Sequence, residues 1–109
     1  MSTSEKSCIF VAVSATLYFP VEATRAERYR IILDHWEHLW DVEADTFANL
    51  SNITSVLMEA FGFHWIGFYR VVTSGESSQL MVGPFQGPSA CTRIGFGQGV
   101  CGTAWKEAR

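Results

Sequence analysis

Between Arg25 and Phe61 apolar side chains return every three or four positions, and from His64 the interval falls to two. Those periods mark, in turn, helices with one buried face and strands with one buried face. The first helix opens at Thr24, which with Glu27 forms a T-x-x-E capping box that satisfies the free amides of a helix start. Tyr29, Ile32, Leu33, Trp36 and Trp40 make its apolar stripe and leave Arg28, Arg30, Asp34 and Glu37 towards solvent. The acidic link D-V-E-A-D (41–45) closes it. A second helix begins at Asp45 or Thr46 and buries Phe47, Leu50, Ile53, Leu57 and Phe61. It stops at Gly62, because glycine enters the left-handed region without steric cost.

The alternating part reads as a meander. H-W-I-G-F-Y-R-V-V (64–72) is rich in aromatic and β-branched residues and predicts a strand. T-S-G-E-S-S (73–78) is a hairpin turn, and Q-L-M-V-G-P-F (79–85) a second strand in which Pro84 marks an edge or a bulge. Q-G-P-S-A (86–90) turns the chain again, and C-T-R-I-G-F (91–96) is a third strand. The last ten residues predict a helix with Val100, Ala104 and Trp105 on one face and Lys106, Glu107 and Arg109 outward. Two helices followed by an antiparallel meander define an α+β fold.

Composition narrows the partners. A chain of 109 residues makes one domain, and 48% hydrophobic content with 14% aromatic is enough for a core. The net charge of −3, with no basic run, predicts neither a nucleic-acid nor a membrane partner. Three cysteines, Cys8, Cys91 and Cys101, are an odd number, which argues against a secreted disulfide framework and for a cytoplasmic protein. His35, His38 and His64 lie far from Cys91 and Cys101 in sequence, and there is no C-x-x-C, so neither a metal nor another cofactor is expected. The apolar run from Cys8 to Phe19, behind Lys6, has the length of a signal-peptide core but is interrupted by Ser14 and Thr16. It is read as an extended segment lying on the domain, within an N-terminal extension of residues 1–23.

The candidate chemistry sits in G-F-G-Q-G-V-C-G-T-A-W (95–105), which contains a G-x-G-x-x-G at Gly97, Gly99 and Gly102. A dinucleotide site needs that motif after the first strand of a βαβ unit, with an acidic residue some way beyond. Here it follows two helices and three strands, so the nucleotide reading fails. The local physics remains: glycines 95, 97 and 99 permit a tight turn and leave amides uncovered, and the helix start behind them favours an anion or a polarised oxygen. Cys101 falls in the first turn of that helix. A thiol so placed is the more readily ionised, nucleophilic kind, or else a small buried filler; position alone leaves both open. Strand alternation puts Trp65, Gly67 and Tyr69 on one face and Ile66, Phe68 and Arg70 on the other. Two rings flanking a bare position predict a gap about one ligand wide, suited to a sulfonium, sulfoxide or methyl group. Ordinary core packing with Gly67 admitting a helix is the other reading.

In order and spacing, A-N-L-S-N, H-W-I-G-F-Y, L-M-V-G-P-F-Q-G-P-S-A-C-T-R-I and G-Q-G-V-C-G-T-A-W resemble the GAF-domain free methionine-(R)-sulfoxide reductases, from about Arg25 to the last residue. The resemblance implies a GAF-like antiparallel sheet with helices packed on one side, of which this chain supplies about half, as a C-terminally truncated domain. It implies reduction of free, not protein-bound, methionine-(R)-sulfoxide by thiol–disulfide chemistry, with thioredoxin as reductant. Cys101 then matches the main resolving thiol and Cys91 an auxiliary one; Trp65 and Tyr69 match aromatic positions of the substrate pocket. Cys8 matches no family cysteine. The family's attacking cysteine lies in a later segment resembling G-H-I-A-C, followed by acidic residues, so these 109 residues alone are expected to show little or no activity. Two other classes stay open: a GAF sensor that binds a small molecule without catalysis, and a dimerisation fragment, a homodimer, built on Trp36 and Trp40.

Overall fold

A computed structural model describes residues 17–109. Cys8 and most of the apolar run read above lie outside the described residues, but its end does not: Leu17 and Phe19 pack against the helical core.

Helix α1 (Arg25–Asp34) starts with the predicted capping box: Glu27 N donates to Thr24 Oγ1 at 3.1 Å, and Thr24 N donates to Glu27 Oε1 at 2.7 Å. The helix does not run on to Trp40. His35 leaves helical geometry (φ −109°, ψ 14°), and a separate turn, α2 (Trp36–Leu39), follows. His35 Nδ1 lies 2.8 Å from Ile31 O, where its ring competes for a main-chain carbonyl of the helix end. Resetting the axis rotates the stripe: Ile32 and Leu39 are buried, whereas Leu33 is 65% exposed. Trp36 and Trp40 stack on each other at 5.7 Å with Trp36 still partly in solvent.

Arg28 also departs from expectation. Instead of facing water it donates from Nε to Ala23 O (3.1 Å), from Nη1 to Ala60 O (2.8 Å) and from Nη2 to Pro20 O (2.9 Å) and Val21 O (3.1 Å). The planar guanidinium thus binds carbonyls from two directions, joining the N-terminal segment to the end of the long helix, where free carbonyls and the negative dipole end favour a cation.

That long helix, α3 (Thr46–Phe61), is capped by Asp45, whose carboxylate accepts from Ala48 N at 2.8 Å, and ends on Gly62 in the left-handed region (φ 64°) as predicted. Ile53, Leu57 and Phe61 pack on Ile32, Leu39 and Ala60 to form the core. Phe47 stays half-exposed under Arg70, whose guanidinium lies 5.4 Å from the ring centroid. The stripe carries two buried polar residues the pattern did not flag. Asn49 accepts from Asp41 N (2.9 Å) and donates to Asp41 O (2.8 Å), fixing the acidic link. Thr54, fully buried, donates to Ser51 O at 2.7 Å. Each group is satisfied, so burial costs little.

The sheet has three antiparallel strands in the order β1 (Ile66–Ser74), β2 (Ser77–Gln86), β3 (Arg93–Ile94). The β1–β2 turn is tighter than predicted: Ser74 pairs with Ser77, leaving Gly75 (φ 63°) and Glu76 as a two-residue loop. Pro84 does mark an irregularity. Gly67 pairs with Phe85 but Tyr69 with Val82, so Phe68 faces both Gly83 and Pro84 across a bulge. β3 is only two residues long, because the chain turns at Gly95. Helix α3 lies across β1 and β2 with α1 and α2 against it, in the α+β arrangement expected. Helix α4 (Gly99–Glu107) follows β3, with Gly102 against the Ile94 side chain.

Candidate active site

Directly paired residues of an antiparallel sheet point to the same side. Gly67 with Phe85, Tyr69 with Val82, and Leu80 with Ile94 therefore share the face turned away from Arg70 and α3. Trp65 joins them from the residue before β1. Its indole stacks on Phe85 (5.6 Å, 17°) and on Tyr69 (6.0 Å, 25°). A Cβ on Gly67 would lie 2.6 Å from Trp65 Cη2. The bare position is thus covered by the neighbouring indole, and the gap predicted between the two rings is closed. Holding a methyl or sulfur group between parallel rings needs about 7–8 Å, twice a van der Waals contact, and 6.0 Å falls short. A ligand can approach the edge or outer side of this wall, not its middle. Trp65 Nε1 is buried with no hydrogen-bond partner among the described residues, which leaves one donor on the wall unmatched.

Tyr69 connects this wall to the cysteines. Its hydroxyl donates to the main-chain oxygen of Cys91 at 2.9 Å. Burial raises the Tyr69 pKa above its ordinary value, and the negative charge that Cys101 and Cys91 would carry when ionised pushes in the same direction. The phenol is thus a protonated donor to the Cys91 main chain. Cys91 is exposed, Cys101 half-buried, and both are free. The structure therefore places Trp65, Tyr69, Cys91 and Cys101, all singled out from sequence, around one side of the sheet.

The glycine loop behaves differently from expectation. Cys101 does fall in the first turn of α4, and Gly97 (φ 77°) and Gly99 (φ 62°) do take the left-handed conformation. Yet two of the three glycine amides expected to lie open, those of Gly95 and Gly97, are used internally. Gly95 N donates to Gln98 Oε1 (3.1 Å), Gly97 N to Gly102 O (3.0 Å), Gln98 N to Gly95 O (3.1 Å) and Gly102 N to Gln98 O (2.9 Å). The loop is a self-closed knot that seats Cys101. Gly102 is buried against it: a Cβ there would meet Gly95 O at 2.5 Å. Of the face predicted for this helix, Ala104 and Trp105 are half-buried, with Trp105 edge-on against Phe96 at 4.9 Å, whereas Val100 is 87% exposed.

A cleft of about 690 Å³ lies between Pro20–Ala23 and α1, lined by none of the four candidate residues. Among the described residues no group of three or more His, Cys, Asp or Glu side chains is placed to hold a metal ion. No helix among them is long and apolar enough to cross a membrane.

The fold is of the GAF type. It superimposes on the free methionine-R-sulfoxide reductase from Neisseria meningitidis, solved in complex with its substrate, with a TM-score of 0.71 and 47% identity, covering 85% of this chain and 54% of that one. In sequence the chain is 47% identical over 88 residues to GAF domain-containing protein A of Dictyostelium discoideum, covering 81% of this chain and 54% of the relative. It is 42% identical over 78 residues to the free methionine-R-sulfoxide reductase of Saccharomyces cerevisiae, covering 67% and 43%. The chain spans about half the length of the curated relatives it matches. No protein-family model matches it. Over the shared portion, this chain is a homologue of the GAF-domain free methionine-R-sulfoxide reductases, in agreement with the resemblance read from its motifs.

Proposed function

We propose that these residues form the resolving part of a reductase for free methionine-(R)-sulfoxide, with Cys101 and Cys91 as its redox pair. The observation that carries this reading is the phenol of Tyr69, bonded to the Cys91 carbonyl at 2.9 Å beside an aromatic wall. The homology to reductases of that substrate supports it.

In this chemistry a thiol attacks the sulfoxide sulfur; methionine leaves, and the attacking cysteine keeps the oxygen as a sulfenic acid. The Cys101 thiol then attacks the sulfenic sulfur, water departs, and a disulfide forms. Exchange with Cys91 moves that disulfide to the exposed loop, where the dithiol of thioredoxin reduces it by two electrons and restores both thiols. Trp65 and Tyr69 supply an apolar surface for the methylthio end of the substrate. The attacking thiol belongs to the G-H-I-A-C-like segment of the family, which these 109 residues do not contain. In this proposal the residues at hand carry the resolving step, and the first attack falls to that segment.

Two measurements test this. Mild oxidation followed by peptide mapping should reveal a Cys91–Cys101 linkage that thioredoxin, its reductase and NADPH reopen, and that Cys101→Ser abolishes. Supplied with free methionine-(R)-sulfoxide and the same reducing system, the 109 residues alone should consume almost no NADPH. A chain that forms no such linkage, or that turns the substrate over robustly by itself, would overturn the assignment.

A further inference from the structure

Cys91 sits between β2 and β3, in a segment (87–92) that belongs to neither strand. Two hydrogen bonds to the sheet hold its end. One is an ordinary ladder bond, Val82 N to Thr92 O at 3.0 Å. The other comes from a strand that β3 does not touch: Tyr69 is on β1, opposite Val82, and β2 lies between β1 and β3. Its side chain therefore passes over the middle strand, a span of roughly two strand spacings, near 10 Å, to reach the Cys91 carbonyl at 2.9 Å. Among the described residues this is the sole side-chain hydrogen bond made to the 87–92 segment. Nothing about the aromatic wall requires it, since the Trp65–Tyr69 stack uses the ring and not the hydroxyl.

We infer that Tyr69 is a positioning residue for Cys91: its hydroxyl tethers the Cys91 main chain to the aromatic wall and so sets how readily the Cys91 thiol pairs with Cys101. The inference rests on the redox-pair reading above but concerns a different atom and a different step. A tether on the carbonyl of the same residue limits the φ/ψ range from which Sγ is displayed, which raises the effective concentration of one thiol at the other. The raised Tyr69 pKa is consistent, because a phenol that stays protonated keeps donating across the working range of thiol exchange.

The test compares the chain with its Tyr69→Phe variant, both carrying Cys8→Ser so that only Cys91 and Cys101 react. Each is equilibrated with glutathione and its disulfide: two protein thiols and one glutathione disulfide give one protein disulfide and two glutathione thiols. The variant keeps the ring and loses only the hydroxyl. Its equilibrium constant for the protein disulfide should fall roughly two- to tenfold, the worth of one hydrogen bond, and Cys91 should be labelled faster by a thiol reagent while Cys101 is unchanged. A variant equal to the parent in both measurements overturns the tether. If the parent forms no protein disulfide at all, the redox-pair reading falls, and the labelling rate decides the tether alone: faster labelling of Cys91 sustains it, and an unchanged rate removes it.

Discussion

Gly102→Ala separates two roles for the glycines around Cys101. In an exposed helix interior, alanine in place of glycine stabilises by about 0.8–1.0 kcal/mol. Here the added Cβ would lie 2.5 Å from Gly95 O and 3.3 Å from both Gly97 C and Ile94 Cγ2. A carbon against a carbonyl oxygen normally keeps about 3.3 Å or more, so α4 and the loop must separate by most of an ångström. Such overpacking costs about 1–3 kcal/mol, and the separation also loosens the bond from Gly97 N to Gly102 O, worth about 0.5–1.5 kcal/mol. Set against the propensity gain, the net expectation is a loss of about 1–3 kcal/mol, a fall in Tm of roughly 5–15 °C for a domain of this size. The control is Gly99→Ala, where no atom lies within 4 Å but φ is +62°; it should cost about 1–2 kcal/mol through backbone strain alone. Urea and thermal unfolding of both variants read these values. A Gly102→Ala chain as stable as the parent, or more so, would show that Gly102 is an ordinary helix glycine and that the loop does not close on α4 as described.

Two further outcomes follow from the helical layer. Arg28→Met keeps the alkyl stem but removes the four carbonyl contacts, and should lower stability by about 2–3 kcal/mol in urea unfolding; Arg28→Lys should recover little, because an ammonium cannot serve carbonyls from two directions, and full recovery would refute the staple. Glu27, whose pKa is lowered from 4.5 first by its hydrogen bond with the Thr24 backbone and then by that with the Thr24 side chain, contributes stability that is complete above pH 4.5 and lost as pH falls through the lower, folded-state pKa. Glu27→Gln should flatten that acid limb of a stability–pH curve, and an unchanged limb would remove the capping box as its source.

The local features of the fold were legible because each depends on neighbours a few residues away. Thr24 with Glu27, Asp45, Gly62 and the irregularity at Pro84 all announce themselves in short windows of sequence. What escaped depends on distant or opposing partners. Arg28 sits at a position that periodicity assigns to solvent, yet its acceptors lie on Pro20 and Ala60, which no helical window joins. The break at His35 is a tie between helix propensity and a side-chain bond to Ile31 O that the apolar pattern cannot register. At the site, residue types and positions were readable but not rotamers. Gly67 was seen as a gap, whereas the indole of Trp65 folds over it. The glycine loop was seen as open amides, whereas Gln98 and Gly102 take up those of Gly95 and Gly97. The Tyr69–Cys91 bond spans 22 residues and carries no local signal at all.

The doubling of Gly83 and Pro84 opposite Phe68 has a reach beyond the two strands it bends. A ribbon that counts strictly by twos would seat Pro84 against Gly67 and send Phe85 to the side covered by α3. One additional link in the count reverses odd and even from there on, so that a third aromatic plate joins Trp65 and Tyr69 and the chain sets out towards Cys91 from the matching side. Length at this point is therefore as consequential as residue identity: a homologue shorter by one here would have to rebuild its ring wall from other side chains.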